Sequence, residues 1–307
     1  MLAIEDIAVV APDHVRVEAD HARLKLDSRR ARVYARMYGF DRIAVAERGR
    51  EFDMLESAVE RLLSQSKVDP GLLRLVVHAH TGPYIGPVGE SLPRRLGRML
   101  PADVRCFGMQ LHKCVSSITA LGVVQRLLQA SPIGSKAVLL IGESAESEDL
   151  RILDAGIVGD IGCALLLSLD GPRDRVVASR VRVCGEYARG IYDDPSSPVR
   201  DDYDARSREH LVRMIRDTVA QQNLSVNDLK YVLPHNVNVK RWLRAIDALG
   251  IERARVFLDN VGRYGHCFGA DVFVNFDSVR QTLQPDDHCL LVSAGVGDTY
   301  GATLIRH

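Results

Sequence analysis

The sequence predicts an α/β protein built from two similar halves. Short apolar runs rich in β-branched residues alternate with longer amphipathic stretches along all 307 residues, which is typical of buried strands separated by helices. The two halves also repeat one another in order and spacing, which indicates an internal duplication. Because 40 basic and 40 acidic side chains cancel, the composition favours neither a nucleic acid nor a membrane surface as partner.

The first element is an apolar strand, MLAIEDIAVV, whose acidic residues and missing basic leader distinguish it from a signal peptide. No apolar run reaches the roughly 18 residues of a membrane span. The cysteines show no CxxC spacing, so we expect a reduced, soluble, cytoplasmic protein without disulfides or a zinc knuckle. Later apolar runs lie at 74–80, 116–130, 137–142, 163–169, 210–222, 230–236 and 289–295.

Three pairs of segments carry the internal repeat. They are 72–82 with 228–238 at an offset of 156, 104–118 with 256–270 at 152, and 137–144 with 289–296 at 152. We therefore expect an N-terminal half at 1–172 and a C-terminal half at 173–307, arranged as a pseudo-dimer. Equivalent loops then converge near the pseudo-twofold axis, which brings Cys114, His235 and His266 to one site.

The polar segment 185–209 is rich in Asp, Arg, Pro and Ser. We interpret it as a surface loop or lid that leads into a helix at about 209–222.

Cys114 lies in QLHKCVSSITAL, at a strand-to-helix corner. A helix N-terminus stabilises a thiolate, so this cysteine is a candidate nucleophile. The alternative is a buried packing residue, since cysteine is often fully buried. The other cysteines at 106, 163, 184 and 289 sit in or beside apolar runs and keep that second interpretation.

Two histidines are candidate partners of the thiol. His235 directly follows an apolar strand in VLPHNVN, and His266 stands in the glycine-flanked turn RYGHCFGAD. A neutral imidazole can accept the thiol proton or stabilise a reacting oxygen, although each is also compatible with a structural histidine. A metal site made of His78, His80, His112 and His266 lacks the compact ligand spacing of zinc sites, so we expect no metal.

The C-terminal segment LLVSAGVGDTYGATLIRH reads as a strand, a glycine-rich turn and another strand. Its glycines, Gly295, Gly297 and Gly301, can present backbone N–H groups to an oxyanion. The segment matches neither GxGxxG nor GxxxxGK[ST], so nucleotide binding is weakly supported.

Four blocks together resemble the ketoacyl-ACP synthase III family of thiolase-fold enzymes. They are CFGMQLHKCVSSITALGVVQRLL with the nucleophile, IVGDIGCALLL with Gly159 and Asp160, LPHNVNVKR with the histidine, and the closing GVGDTYGATLIRH. The resemblance covers essentially the whole chain. It implies the five-layered αβαβα thiolase fold and a homodimer.

The resemblance also implies residue roles. Cys114 accepts an acyl group as a thioester, and His235 assists that transfer and the attack by the second substrate. Asn238 matches the asparagine that binds the pantetheine arm, and the N–H groups of Cys114 and Gly297 match the oxyanion hole. Basic residues at the positions of Lys240, Arg241 and Arg244 meet an acyl carrier protein in the family, although an ordinary solvated helix face also fits them.

Two departures bear on the reaction. His266 stands where the family usually has asparagine, and Val296 replaces the middle glycine of the closing motif. Relatives without the asparagine include acyltransferases of specialised metabolism, whereas a Cys-His-His set also occurs in the decarboxylating ketoacyl synthases I and II. An asparagine amide donates at every pH, whereas a second imidazole donates only in one tautomer or when protonated.

Acyl transfer to a hydroxyl or amine of a small molecule is therefore the favoured reaction. Decarboxylative condensation with a malonyl thioester is one alternative, and a non-catalytic partner subunit of a condensing enzyme is another. The acyl donor is an acyl carrier protein or coenzyme A, whose phosphopantetheine arm carries the substrate, and no separate cofactor is expected.

Overall fold

The computed structural model describes residues 1–47, 49–82, 91–145, 147–154 and 156–307. Strands and helices alternate along them, as predicted. The strands are β1 (Ala3–Val10), β2 (His14–Arg16), β3 (Arg42–Ala44), β4 (Leu73–Ala79), β5 (Arg105–Met109), β6 (Lys136–Glu143), β7 (Ile152–Leu153), β8 (Gly156–Ile157), β9 (Ile161–Ser168), β10 (Arg175–Val183), β11 (Tyr231–Pro234), β12 (His288–Gly295) and β13 (Thr299–Arg306).

The helices vary widely in length. Within the described ranges, none has both the length and the apolar character that a membrane span requires. They are α1 (Ser28–Tyr38), α2 (Glu51–Ser66), α3 (Leu92–Leu96), α4 (Ser116–Gln129), α5 (Pro198–Ala220), α6 (Val239–Leu249), α7 (Val261–Tyr264) and α8 (Asp271–Arg280).

One large sheet has the strand order β11-β12-β13-β10-β1-β9-β6-β4-β5. Its middle is the junction of the two halves, where β1 and β10 pair antiparallel through Ala3 and Arg175. Outward from this junction, the first half runs β1, β9, β6, β4, β5 and the second runs β10, β13, β12, β11. The position equivalent to β5 is taken by Val256, which forms a parallel bridge with Val232 of β11.

The pairing directions repeat as well. β4 is parallel to β6 while β9 is antiparallel to both β6 and β1. In the second half β11 is parallel to β12 while β13 is antiparallel to both β12 and β10. The predicted duplication of βαβ-rich halves is therefore confirmed, whereas the exact division at 172/173 stays a prediction.

Five layers follow from the packing. Helices α4 and α8 share one apolar core with strands of both halves and form the middle layer. Helices α2 and α3 cover the outer face of the first half, and α5 and α6 cover the outer face of the second. This is the αβαβα arrangement that the resemblance implies.

The segment 185–209 differs from its interpretation as a loop. After single 3-10 turns at Gly185–Tyr187 and Gly190–Tyr192, helix α5 begins at Pro198. The Ser197 hydroxyl accepts the N–H groups of Val199 and Arg200 at 3.1 and 3.2 Å, which caps the helix. Its charged residues pair along the helix at i,i+4 spacing, in the pairs Arg200–Asp204, Asp202–Arg206 and Glu209–Arg213.

The mixed charges of this segment therefore belong to a solvated helix face, which composition alone does not distinguish from a loop. The loop 81–91, which the sequence also suggests as a pocket determinant, lies largely outside the described residues.

Candidate active site

Cys114 lies at the corner that the sequence predicts. A 3-10 turn at Lys113–Val115 follows β5 and leads directly into α4. The side chain is buried, with 6% of its surface exposed, and it sits at the N-terminal end of the helix, where the dipole favours a thiolate. The Ser293 hydroxyl of β12 donates to the Cys114 carbonyl at 3.0 Å, so the second half of the chain holds the nucleophile's backbone.

His266 is the immediate partner of the thiol. Its Nε2 lies 3.4 Å from Cys114 Sγ, and its Nδ1 lies 2.6 Å from a carboxylate oxygen of Asp271. The His266 backbone is fixed on both sides, because its N–H donates to the Ile157 carbonyl at 2.8 Å and its carbonyl accepts the Gly159 N–H at 3.0 Å. Cys114, His266 and Asp271 therefore form a hydrogen-bonded triad.

Asp271 is buried at the first position of α8. Besides the imidazole, its oxygens accept the backbone N–H groups of Asn236 and Cys267, each at 2.7 Å. Three donors and the helix N-terminus stabilise the ionised carboxylate. The sequence-based search missed this residue. Its only signal was an aspartate five positions after His266 at the start of a helix.

The surroundings of His266 favour its protonated form. Burial lowers the pKa of this imidazole, but the negative charges of Asp271 and Cys114 outweigh burial and raise the pKa from 6.5 to about 10. An imidazolium next to the thiol is the charge state that stabilises a Cys114 thiolate. The triad thus places a protonated imidazole, held by the Asp271 carboxylate, beside the Cys114 thiol.

His235 has the opposite charge state. Burial, followed by the charges of His266 and Arg241, lowers its pKa well below 6.5. Its Nδ1 accepts the Ala294 N–H at 3.3 Å, so the neutral ring carries its proton on Nε2. Trp242 fixes the residue by donating its Nε1–H to the His235 carbonyl at 2.9 Å. His235 can therefore donate a hydrogen bond into the site from Nε2.

The glycine-rich turn after β12 lies against the nucleophile. A side chain added at Gly295 would begin 3.0 Å from the His112 carbonyl and 3.6 Å from the Cys114 nitrogen. Gly295 and Val296 line the cavity around Cys114. Gly297 is on the other side of the turn, where an added Cβ would lie 2.8 Å from the Ala188 carbonyl.

Asn238 and the basic residues lie at the rim of the same cavity. Asn238 caps α6, because its side-chain oxygen accepts the Lys240 N–H at 2.9 Å. Lys240, Arg241 and Arg244, on the first turns of α6, also line the cavity. These predicted residues thus line a cavity of about 750 Å³ that Cys114, His235 and His266 also line.

Of the cysteines assigned to packing, Cys163, Cys184 and Cys289 are buried and Cys106 is half-buried. Burial raises the pKa of Cys289 to about 12 and raises that of Cys163 further. Cys267, next to His266 in sequence, is buried and its pKa is likewise raised by burial. Their surroundings disfavour the thiolate, whereas Cys114 faces an imidazolium.

The histidines considered as metal ligands do not converge. His78 Nε2 hydrogen-bonds the Gly142 carbonyl at 2.9 Å, His80 Nδ1 bonds the Gly82 carbonyl at 2.7 Å, and His112 Nδ1 bonds Thr119 at 2.8 Å. Among the described residues, the one group with close potential ligand atoms is Cys184, His210 and Asp298.

Comparison with known proteins agrees with this geometry. Residues 219–307 match the model of the 3-oxoacyl-[acyl-carrier-protein] synthase III C-terminal domain. Beta-ketoacyl-[acyl-carrier-protein] synthase III of Nitratidesulfovibrio vulgaris is 25% identical over 292 residues, covering 85% of this chain and 84% of the relative. The corresponding synthase of Aquifex aeolicus is 22% identical over 270 residues, covering 83% of each chain.

Solved structures extend the match to the whole fold. The Aquifex aeolicus 3-oxoacyl-[acyl-carrier-protein] synthase III superimposes with a TM-score of 0.81 and 18% identity over 100% of both chains. ChlB3, described as an acyltransferase, gives a TM-score of 0.87 and 19% identity over 99% of this chain and 97% of its own. By its C-terminal domain, its relatives and its thiolase fold, this chain is similar to the 3-oxoacyl-[acyl-carrier-protein] synthases III.

Proposed function

We propose that the protein is an acyltransferase that loads an acyl group from a carrier thioester onto Cys114 and passes it to a hydroxyl or amine acceptor. The observation that carries this proposal is the triad, in which Cys114 Sγ lies 3.4 Å from His266 Nε2 and His266 Nδ1 lies 2.6 Å from Asp271. A thiolate, an oriented imidazole and nearby N–H donors are the groups that acyl transfer requires.

In the first half-reaction, the Cys114 thiolate attacks the carbonyl carbon of the acyl thioester. The oxygen of the tetrahedral intermediate is stabilised by backbone N–H groups at the Cys114 corner and the adjoining turn, where Val296 faces the cavity. The bond to the pantetheine sulfur then breaks, and the leaving thiolate takes the proton from the His266 imidazolium. Cys114 is left as a thioester and His266 as a neutral base.

In the second half-reaction, His266 Nε2 accepts the proton of the acceptor hydroxyl or amine as that group attacks the Cys114 thioester. Collapse of the intermediate releases the ester or amide and returns the Cys114 thiolate beside the His266 imidazolium. Asp271 holds Nδ1–H throughout, so that Nε2 is the nitrogen that gives and accepts the transferred proton.

The family resemblance implies that His235 assists both steps, alone or with His266, whereas the hydrogen bonds of the two rings support His266 as the base. His235 accepts the Ala294 N–H at Nδ1, so its remaining ring nitrogen carries a proton and cannot take another one in the neutral state. We assign His235 to hydrogen-bonding the thioester oxygen in the cavity, and we assign the base to His266.

The same chemistry favours transfer over decarboxylative condensation. Condensation requires hydrogen-bond donors to the enolate oxygen that remain donors after Cys114 is acylated. His235 supplies one such donor. After acylation, neutral His266 presents an electron pair from Nε2, because its proton is on the Nδ1 bonded to Asp271. A base at this position suits deprotonation of an alcohol or amine. The intact triad likewise argues against a non-catalytic partner subunit.

The carrier is proposed to be an acyl carrier protein or coenzyme A. Its phosphopantetheine arm enters beside Asn238, and Lys240, Arg241 and Arg244 meet the acidic carrier at the rim. The arm is part of the substrate, so the reaction uses no separate cofactor. A cytoplasmic homodimer acting on a specialised metabolite is the setting that the family resemblance suggests.

Intact-protein mass spectrometry tests the proposal. Wild type and Cys114→Ala are incubated with a panel of acyl thioesters, followed by alcohol and amine acceptors, and malonyl thioester is run in parallel with a carbon dioxide assay. We expect acyl adducts on wild type alone, discharged by an acceptor. Rapid carbon dioxide release without any acyl transfer to oxygen or nitrogen would assign condensation instead.

A further inference from the structure

The turn that adjoins the nucleophile has a strained backbone. Gly297 and Asp298 both lie in the left-handed region, with φ of +88° and +55°. A left-handed conformation suits glycine but costs free energy at an aspartate, so it persists where the surrounding contacts over-determine it. The contacts of Asp298 are therefore the ones that hold the turn in its present shape.

Asp298 is 2% exposed and anchored from three sides. One carboxylate oxygen lies 2.8 Å from His210 Nδ1 of α5, and the other accepts the Tyr300 hydroxyl. Its backbone carbonyl accepts the Cys184 N–H at 3.1 Å, just beyond the end of β10. The turn is thus tied to helix α5 through the Asp298 carboxylate and to the end of β10 through the Asp298 backbone carbonyl.

The side chains of Cys184, His210 and Asp298 also have potential metal-ligand atoms within 4.8 Å of one another. Hydrogen bonds account for them without a metal. His210 uses the same Nδ1 toward Asp298 at 2.8 Å and toward Cys184 Sγ at 3.7 Å. With the second carboxylate oxygen bonded to Tyr300, the cluster functions as a closed hydrogen-bonded anchor.

The other half of the chain has the same three-residue sequence with a buried aspartate, although Gly159 and Asp160 do not share the positive φ of Gly297 and Asp298. Val158, Gly159 and Asp160 precede β9 just as Val296, Gly297 and Asp298 precede β13. Asp160 is fully buried, accepts the Ala46 N–H at 2.8 Å and the Ala145 N–H at 3.0 Å, and pairs with the Arg151 guanidinium.

Each of the two turns lies near a site residue of the other half, across the pseudo-twofold axis. The Asp160 turn holds His266, whose carbonyl accepts the Gly159 N–H at 3.0 Å. The Asp298 turn follows directly on Gly295, at which an added Cβ would lie 3.6 Å from the Cys114 nitrogen. The VGD turn of the first half therefore holds His266, and the VGD turn of the second half continues from the residue beside Cys114.

We propose that His210 and Asp298 are positioning residues that hold the Val296 backbone N–H beside Cys114 as an oxyanion donor. This inference rests on the proposed function, because an oxyanion forms only when Cys114 reacts with a carbonyl. The pair acts on the turn and does not touch the substrate. Loss of the His210–Asp298 contact removes stabilisation of the transition state, while the pair of Cys114 thiolate and His266 imidazolium stays intact.

Two rates separate this role from a general structural one. Alkylation of Cys114 by iodoacetamide requires the thiolate but no oxyanion donor, whereas acylation by an acyl thioester requires both. For Asp298→Asn, we expect alkylation within about twofold of wild type and acylation slower by about 10²-fold, the range typical of a lost oxyanion donor. Thermal unfolding is measured in parallel to show that the variant is folded.

His210 supplies a second, conservative comparison. His210→Gln retains a side-chain N–H that can reach Asp298, and His210→Phe does not. We expect the glutamine variant to recover most of the acylation rate and the phenylalanine variant to behave like Asp298→Asn. If Asp298→Asn does not fold, this pair alone decides the question.

Asp160→Asn is the matched control in the other half. Because the Asp160 turn holds His266, we expect this variant to slow alkylation and acylation together. Equal loss of both rates in Asp298→Asn, or loss of neither, overturns the positioning role alone. A wild-type protein that is alkylated but never acylated by any thioester overturns the proposed function and the positioning role with it.

Discussion

Cys114 and His266 occupy equivalent positions of the two halves, 152 residues apart, and their side chains meet with Sγ 3.4 Å from Nε2. Ser117 and Gly269 have the same separation and also touch, the serine hydroxyl donating to the glycine carbonyl at 2.8 Å. Equivalent residues that contact one another must lie on the pseudo-twofold axis. One repeated position therefore supplies the proposed nucleophile from the first half and its proposed base from the second.

The first prediction concerns the carboxylate of the triad. In Asp271→Asn, the charge that raises the pKa of His266 is lost, so the imidazolium and the thiolate become less favourable. We expect the rate of iodoacetamide alkylation at pH 7 to fall by about tenfold or more, since each pKa unit is a tenfold change. Mass spectrometry of samples quenched at successive times measures this alkylation rate.

Asp277→Asn is its control, because it makes the same change on the same helix, outside the triad. We expect alkylation of this variant at the wild-type rate. An Asp271→Asn protein that alkylates as fast as wild type across the pH range contradicts the thiolate–imidazolium assignment.

The second prediction is a pH dependence of stability. The pKa of His266 is raised from 6.5 to about 10 in the folded protein, so the folded state binds this proton more tightly than the unfolded state. The stabilisation is full below about pH 6.5 and is lost as pH rises toward 10. Urea unfolding should therefore show a larger stability difference between wild type and Asp271→Asn at pH 6 than at pH 9.5.

The third prediction concerns His235. Because its neutral ring donates from Nε2 and is not the base for Cys114, His235→Ala should leave iodoacetamide alkylation within about twofold of wild type. Acylation by a thioester should slow by about 10²-fold, as for other single donors to a reacting carbonyl oxygen. A parallel loss of alkylation would instead make His235 the base of the thiol.

Much of this site follows from the sequence, and what does not has a physical reason. The offset of 152 residues predicts that Cys114 and His266 meet, because repeated halves place equivalent corners at one axis. Asp271 was missed because its role depends on the 3-10 turn at Phe268–Ala270, which returns the carboxylate to the His266 ring. Sequence spacing alone does not specify the direction of such a turn.

The turn at Val296, Gly297 and Asp298 shows the same limit. The choice between Gly297 and Val296 as the residue facing the cavity depends on backbone angles at Gly297 and Asp298, both with positive φ. Those angles are imposed by the buried contacts of Asp298 with His210 and Tyr300. These partners come from distant parts of the chain, so a local motif cannot reveal them.

The fourth prediction concerns the rim. Arg244 is exposed on α6 and lines the entrance, where its charge attracts an acidic carrier protein. Arg244→Ala should raise KM for an acyl carrier protein donor by about tenfold at low salt, with kcat unchanged, and the difference should shrink as salt screens the charge. A short acyl-pantetheine donor, which lacks the carrier surface, should show no change.

Arg253→Ala, which removes an equally exposed charge paired with Asp247 away from the cavity, is the control for this experiment. An equal rise in KM for acyl-pantetheine and carrier protein would place Arg244 on the pantetheine arm instead.

The last prediction concerns assembly through the edge of the sheet. Strand β5 ends the strand order and pairs with β4 alone among the described strands. Two apolar side chains lie at this edge, Phe107 with 37% and Leu111 with 81% of their surface exposed. An unpaired edge with apolar side chains suits self-complementary pairing about a twofold axis.

Phe107→Lys should therefore convert a dimer into a monomer, as measured by analytical ultracentrifugation at micromolar concentration. Ile133→Lys is the control, because Ile133 is a fully exposed apolar residue that lies outside β5, so this variant should remain dimeric. A wild-type monomer, or a dimer that persists in Phe107→Lys, contradicts assembly through this strand.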